Sequence, residues 1–525
     1  MQPDRKKASL FKHNIGLGFP PLPVLIGFWI IICNFNLSVA QTDTAWINTF
    51  GGIQNDVCSQ IKPTYDGGYI TIGTTNSFCG GNSLFYIIKT DSLCHKQWSK
   101  AIGGEGIQGG YAVAPTYDHG YAFVGFTNSY GNGNYNTFLV KTDSAGNLKW
   151  EKTYIGTDWN FGYSIAQTPD SGFVICGLTY SYPAVNGDVY VIRTKKNGDT
   201  IWTRTIGGNG YDVGNSVCVH SKKLYAVVGA TTSYGIGDTS MYIIFINDSG
   251  RVLKDTTYCV GAMRSDIAHA ITEISDGGFL VIGNSDSLPP VKPMQVLYKT
   301  DSTAKIQWWY TYSQNNIGKD VAQAPDGSLV TTGTSQYDGL GYNNMEAFHL
   351  TNGNGYFLSG TYLGGTGDNF GNSIAIGKNG NVVFAGESNS QGFTQGLFDV
   401  MIARWKNADS VEGTYVNYVK NFKDSSECVL GIAPQSVFHP GVKVFPNPVL
   451  YSATFLVQGE AGDCYFLTIF NGSGKCIMQS FPLQPILHEQ FIGHFQKGAF
   501  AAGPYFYEIH NQNGIIVASG KFIVQ

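Results

Sequence analysis

An apolar run that ends in glycine recurs seven times along the chain, at Gly73, Gly125, Gly177, Gly229, Gly283, Gly333 and Gly386, in steps of 52, 52, 52, 54, 50 and 53 residues. Self-similarity at this period implies that each repeat is one supersecondary unit. Such a unit cannot bury its apolar face alone and must pack against its copies. Before most of the glycines stands an Asp-Gly-Gly-like turn: 66–68, 118–120, 170–172, 276–278 and 326–328, with Asn379-Gly380 in the last repeat and Lys222-Lys223 in the fourth. About 16 residues after each glycine comes a second apolar run that ends in a charged turn, as in Tyr86–Asp91, Phe138–Asp143, Tyr190–Thr194 and Val296–Asp301. A third landmark is a tryptophan strand at Trp46, Trp98, Trp150, Trp202 and Trp308.

Each unit therefore reads as four strands. Strand A precedes the Asp-Gly-Gly turn, B runs to the glycine, C ends in Lys-Thr-Asp, and D carries the tryptophan. Tight turns join A to B and C to D. Four strands repeated seven times predict an all-β seven-bladed β-propeller over 41–413; a stacked solenoid is the alternative. One count favours a closed ring: Trp46 opens the array with a D strand that has no A, B or C before it. The last repeat ends near Arg404 without a D strand. If the first strand completes the last blade, two sheet edges disappear. The segment 415–422 is a rival source of that strand. The repeated glycine is expected to permit a bulge or close backbone approach, the turn Asp to bond its own backbone, and the Trp to fill space between blades.

The rest of the composition agrees. Glycine accounts for 67 of 525 residues and charged residues for only 13%, which suits strands joined by many turns. A net charge of −4 without a basic stripe argues against nucleic acid as a partner. Residues 1–40 read as a signal peptide: Arg5, Lys6, Lys7 and Lys12, then an apolar run from about Val24 to Ile32, then Ser38-Val39-Ala40 with cleavage after Ala40. Export permits disulfides, and one pair among Cys58, Cys79 and Cys94 is a candidate. No cysteine or histidine spacing suggests zinc, so no cofactor or metal is expected.

Because strands alternate in direction, the D-to-A and B-to-C loops share one face. The B-to-C loops are long, variable and rich in Gly, Asn, Ser and Tyr, the composition of adaptable recognition surfaces. Candidate ligand-binding residues are Tyr130, Tyr135, Tyr180, Tyr182, Tyr234, Tyr337 and Tyr342. The D-to-A loops carry Asp56, Asp212, Asp266 and Asp368, with Gln108, Asn160 and Asn316 at comparable places. These read as caps of strand A rather than a calcium ring, since no DxDxDG loop is present. No catalytic motif is found. The expectation is glycan or protein binding without catalysis. A polysaccharide hydrolase or lyase, needing two convergent carboxylates, and a structural spacer are the alternatives. The turn Lys141–Trp150 resembles hairpins of quinoprotein-type and Asp-box propellers, a local likeness without chemical content.

After a polar linker at 414–440, residues 441–525 change character and read as a small β-sandwich. Phe445-Pro446-Asn447-Pro448, an apolar strand running to Gly474-Lys475, the strand Gly503-Pro504-Tyr505-Phe506-Tyr507, and a final strand with Gly520-Lys521 stand in that order. This segment closely resembles the type A C-terminal sorting domain of type IX secretion cargo in Bacteroidota. The resemblance implies passage through the periplasm and export across the outer membrane by the type IX machinery. It also implies removal of the domain by a sortase-like peptidase near 430–441. The cargo is then released or attached to the cell surface, its only tie to a membrane.

Overall fold

The computed structural model describes residues 46–405, 419–423, 427–430 and most of 443–524, less short stretches such as 80–82, 261–264, 287–292, 337–342 and 351–354. The leader and its cleavage point at Ala40 lie outside the described residues, which contain strands and no helix.

Seven antiparallel sheets each take the order A, B, C, D. The A strands are Asp56–Pro63, Gln108–Pro115, Asn160–Gln167, Asp212–His220, Ser265–Glu273, Asn316–Gln323 and Asn369–Ile376. Each A strand contacts the next, and the last contacts the first, so they form a closed inner ring. The protein is a seven-bladed β-propeller. Strands B and C are buried on both faces, as in Leu84–Thr90 and Phe173–Thr179. The core is a series of clusters between blades. One packs Ile70, Ile72, Phe85 and Ile87 of the first blade against Val113, Tyr121, Phe123, Phe138 and Val140 of the second.

The ring closes through its first strand. Trp46–Gly51 pairs antiparallel with Asp399–Trp405, with Trp46 opposite Arg404. The rival segment does not take this place. Val419–Lys423 adds in parallel outside Trp46–Gly51, and Glu427–Leu430 adds in parallel to Lys96–Gly103, the outer strand of the first blade. The tail therefore crosses from the last blade to the first, over the seam where the ring closes. Part of the segment read as linker is thus sheet. Edge pairing draws on backbone N–H and C=O groups, so a polar sequence can supply it.

The three landmarks now have physical causes. In every blade strand A carries a bulge, at Ser59, Tyr111, Tyr163, Asn215, His269, Lys319 and Asn372. The recurrent glycine lies against it. A Cβ on any of the seven would strike the carbonyl oxygen of Val57, Gly109, Phe161, Val213, Ile267, Ile317 or Phe370. The charged end of strand C ties the blade's two tight turns together: Lys89, Lys141, Arg193 and Lys299 reach Asp66, Asp118, Asp170 and Asp276 at 2.8, 3.0, 2.7 and 2.6 Å. Partial burial pulls these four carboxyls upward in pKa. The hydrogen bonds from the cation and from turn N–H groups, with a threonine O–H at Asp66, Asp118 and Asp170, outweigh it and hold them below the usual value. The tryptophans bridge blades: Trp98, Trp150, Trp202 and Trp308 lie over Gly146, Gly198, Gly250 and Gly355, each in the next blade's C-to-D turn. Those four glycines have φ of 78°, 82°, 81° and 66°, so space and backbone both exclude a side chain.

The expected cysteine pair does not form. Cys58 and Cys94 are free and buried, while Cys79 is disulfide-bonded, so its partner is neither of them. Cys58 lies on strand A and Cys94 in the C-to-D turn, whereas Cys79 sits in the B-to-C loop.

Residues 443–524 form two four-stranded sheets packed face to face, a β-sandwich. Its core joins Phe455 of one sheet to Leu467, Ile469, Tyr505, Tyr507 and Ile509 of the other, with Phe455 edge-on to Tyr507 at 5.2 Å. Phe445 ends the strand Lys443–Phe445; Pro446, Asn447, Pro448 and Gly474 lie outside the described residues. Lys475 is exposed at a turn, where its N–H donates to Asn471 Oδ1 at 2.9 Å. Gly520 and Lys521 pair with Tyr507 and Phe506 in the last hairpin.

Candidate ligand-binding face

The first residue of strand A stitches neighbouring blades. The N–H of Asp56, Gln108, Asn160, Asp212 and Asp266 donates to the carbonyl just before or at the opening of the previous blade's strand C, at Phe398, Ser83, Tyr135, Gly187 and Thr239. Their side chains bind the B-to-C loop of their own blade: Asp56 accepts from Thr75 and Ser77, Asp212 from Ser233, Asn160 from Thr179 and Ser181. These residues are buried caps, as their loop position suggested, and do not line an open acidic ring. In the last blade the residue in register is Asn369, not Asp368, which lies one place earlier and accepts from Asn343.

The mouth of the channel differs from one side to the other. The residue just before each A strand rims it, and in three successive blades that residue is apolar and exposed: Ile107, Trp159 and Tyr211 are 44%, 47% and 37% exposed. Tyr135 and Tyr180 meet Trp159 edge-on at 5.6 and 6.4 Å. Beneath them Phe126, Phe161, Tyr111 and Tyr163 continue the aromatic cluster. On the far side, the bulge residues of the fifth to seventh blades are His269, Lys319 and Asn372. Burial, with Lys319 nearby, pushes the His269 imidazole down to about 3, and burial pushes the Glu387 carboxyl up to about 7 against the pull of the Cys58 backbone, Asn372 and Lys319.

The tyrosines proposed from sequence divide accordingly. Tyr135 and Tyr180 flank Trp159. Tyr130 packs on Phe138 at 5.5 Å and belongs to the core between the first two blades. Tyr234 is 43% exposed but is anchored, its O–H donating to Gly207 O at 2.8 Å. Tyr182, Tyr337 and Tyr342 lie outside the described residues. Sequence reasoning missed Trp159, Tyr211, Tyr111 and Tyr163. Trp159 and Tyr211 hold the same place in consecutive repeats, a signal that was there to read. Tyr111 and Tyr163 are bulge residues, and a bulge breaks the in–out alternation that would have revealed them.

Next to this arc the loop Gly156–Asn160 opens on a cleft of about 430 Å³, lined by Gly156, Thr157, Asn160, Thr179, Ser181, Pro183, Tyr190, Thr203, Arg204 and Thr205. That volume lies within the range of small-ligand sites. Two acidic pairs, Asp188 with Asp212 and Asp56 with Asp399, lie against Gly207 and Gly51 and are buried. They do not present convergent carboxylates to an open mouth, as the hydrolase alternative requires.

The fold and this face define a β-propeller with an aromatic, concave end. No family model matches the chain, and no curated protein does. Among solved structures it is similar to a streptogramin B lyase, with 13% identity over 68% of this chain and 97% of that one, TM-score 0.45. It is also similar to the WD40 β-propeller domain of Doa1, with 13% identity over 69% and 96%, TM-score 0.44. A third is a protein of unknown function from Bacteroides caccae, with 11% identity over 56% and 93%, TM-score 0.36. These likenesses concern fold alone.

Proposed function

We propose that this is an exported glycan-binding propeller, carried through the type IX pathway by its sorting-domain-like C-terminus. The observation that carries the reading is the aromatic arc of Trp159, Tyr135, Tyr180 and Tyr211 beside a cleft lined largely by threonine, serine and asparagine. Aromatic faces stack on the apolar faces of sugar rings, while the hydroxyls of Thr157, Thr203 and Thr205 line the cleft as partners for ring hydroxyls. The signal-peptide pattern ending at Ala40 and the resemblance of 441–525 support export and delivery to the outer surface. The test is a glycan array followed by titration of the best ligand into wild type and Trp159→Ala. Affinity should fall at least tenfold in the variant, with unchanged unfolding midpoint. Silence across acidic and neutral glycans, or binding indifferent to Trp159→Ala, would overturn the reading and favour a protein ligand.

A further inference from the structure

At the seam between the third and fourth blades two carboxylates meet with nothing to balance them. Asp188 opens strand C of one blade (Asp188–Thr194) and Asp212 opens strand A of the next. Their backbones are held together by Asp212 N–H donating to Gly187 O at 2.8 Å. Gly207 lies between them, and a Cβ there would strike both Asp188 Oδ1 and Asp212 Oδ2. Both residues are more than nine-tenths buried, at 6% and 0% exposure. Asp212 Oδ2 accepts from Gly208 N–H at 2.9 Å and Ser233 O–H at 2.6 Å. Oδ1 of each carboxylate is buried without a partner among the described residues, and no Lys or Arg there is paired with either.

The preceding seam shows the same two positions filled by amides. They are Asn136 and Asn160, and every side-chain polar atom is engaged. Asn136 Oδ1 accepts from Gly156 N–H at 3.2 Å and its Nδ2 donates to Asn134 O at 2.9 Å. Asn160 Nδ2 donates to Asp158 O at 2.7 Å and its Oδ1 accepts from Thr179 at 2.6 Å. The two amides at that seam leave no orphan, whereas at the next seam the unpartnered oxygens belong to two acids that face the same glycine. Buried carboxylates persist only when paired or bound to a metal. An all-oxygen donor set selects hard cations, and calcium tolerates irregular geometry completed by water better than magnesium does.

We propose that Asp188 and Asp212 hold a divalent cation, calcium fitting best, which ties the third blade to the fourth, with water completing its shell. Tyr211 of the aromatic arc immediately precedes Asp212, so the ion also steadies that side of the mouth. The test uses the full chain after chelator treatment, at pH 7.5, with calorimetric titration of CaCl2 and thermal unfolding with and without it. Wild type should bind one ion at this seam and its midpoint should rise by several degrees, with MgCl2 giving a smaller rise. Asp188→Asn and Asp212→Asn should each lose that ion and that rise, while remaining at least as stable as calcium-free wild type. A calcium response that survives both substitutions places the ion elsewhere and overturns the proposal. So does a wild type indifferent to calcium whose stability falls as pH rises through about 6, with Asp188→Asn abolishing the fall: a shared proton then balances the pair.

Discussion

The seven repeated glycines are required by a collision. Each faces a carbonyl oxygen displaced by the bulge in strand A, and in Gly177 that oxygen belongs to Phe161. Backbone on both sides cannot swing away as a side-chain tip could. Gly177→Ala should therefore cost about 3 kcal/mol, the upper end of overpacking penalties, read as a lower urea midpoint with unchanged slope. Titration gives two opposite trends. Asp66, Asp118, Asp170 and Asp276 are held below their ordinary 3.8, so their contribution is complete above that pH and is lost as pH falls through the depressed folded values. Glu151 behaves the other way. Burial pushes its carboxyl from 4.5 up to about 7, and neither oxygen has a hydrogen-bond partner among the described residues. Between those values the folded state holds a proton that the unfolded chain has released, so stability falls as pH rises from 4.5 to about 7. Glu151→Gln should flatten that fall and raise the midpoint at pH 8, as thermal unfolding across the range will show.

At the scale of the element, the ends of the array carry the closure. The strand Trp46–Gly51 lies between Asp399–Trp405 and Val419–Lys423, hydrogen-bonded on both edges. A chain beginning at Gly52 leaves the last blade one strand short. Amides of 399–405 should then exchange fast, and unfolding should lose its single transition, measured by hydrogen exchange and denaturant titration. The clasp formed by 419–423 and 427–430 makes a separate prediction. A chain ending at Leu430 should be monomeric, whereas one ending at Gly413 exposes the outer edges of Trp46–Gly51 and Lys96–Gly103 and should self-associate, as light scattering will report. The cut implied near 430–441 leaves the clasp on the propeller.

At the scale of the whole molecule, repetition made the fold readable and made the site hard to see. Blade number, strand order and the pairing of Trp46 with Arg404 were all present in the spacing of glycines, Lys-Thr-Asp turns and tryptophans, because each of those residues serves a contact that every blade must make. The functional face depends on departures from the repeat. Trp159 and Tyr211 stand where other blades carry Asn55, Ser265, Asn315 and Asp368, and a comparison confined to acids at that position passes over them.

The sequence by itself determined the periodic part of this protein: hydrophobic alternation and turn chemistry act within about ten residues and recur with each copy. Only the tertiary structure decided which residues meet across the ring. Asp188 and Asp212 sit 24 positions apart on different blades, Asn372 Nδ2 reaches Cys58 O at 2.9 Å across the closing seam, and bulges turn Tyr111, His269 and Lys319 inward against the expected alternation. Those contacts arise from the angle at which twisted sheets pack around an axis, a property of the assembled ring that no single strand carries.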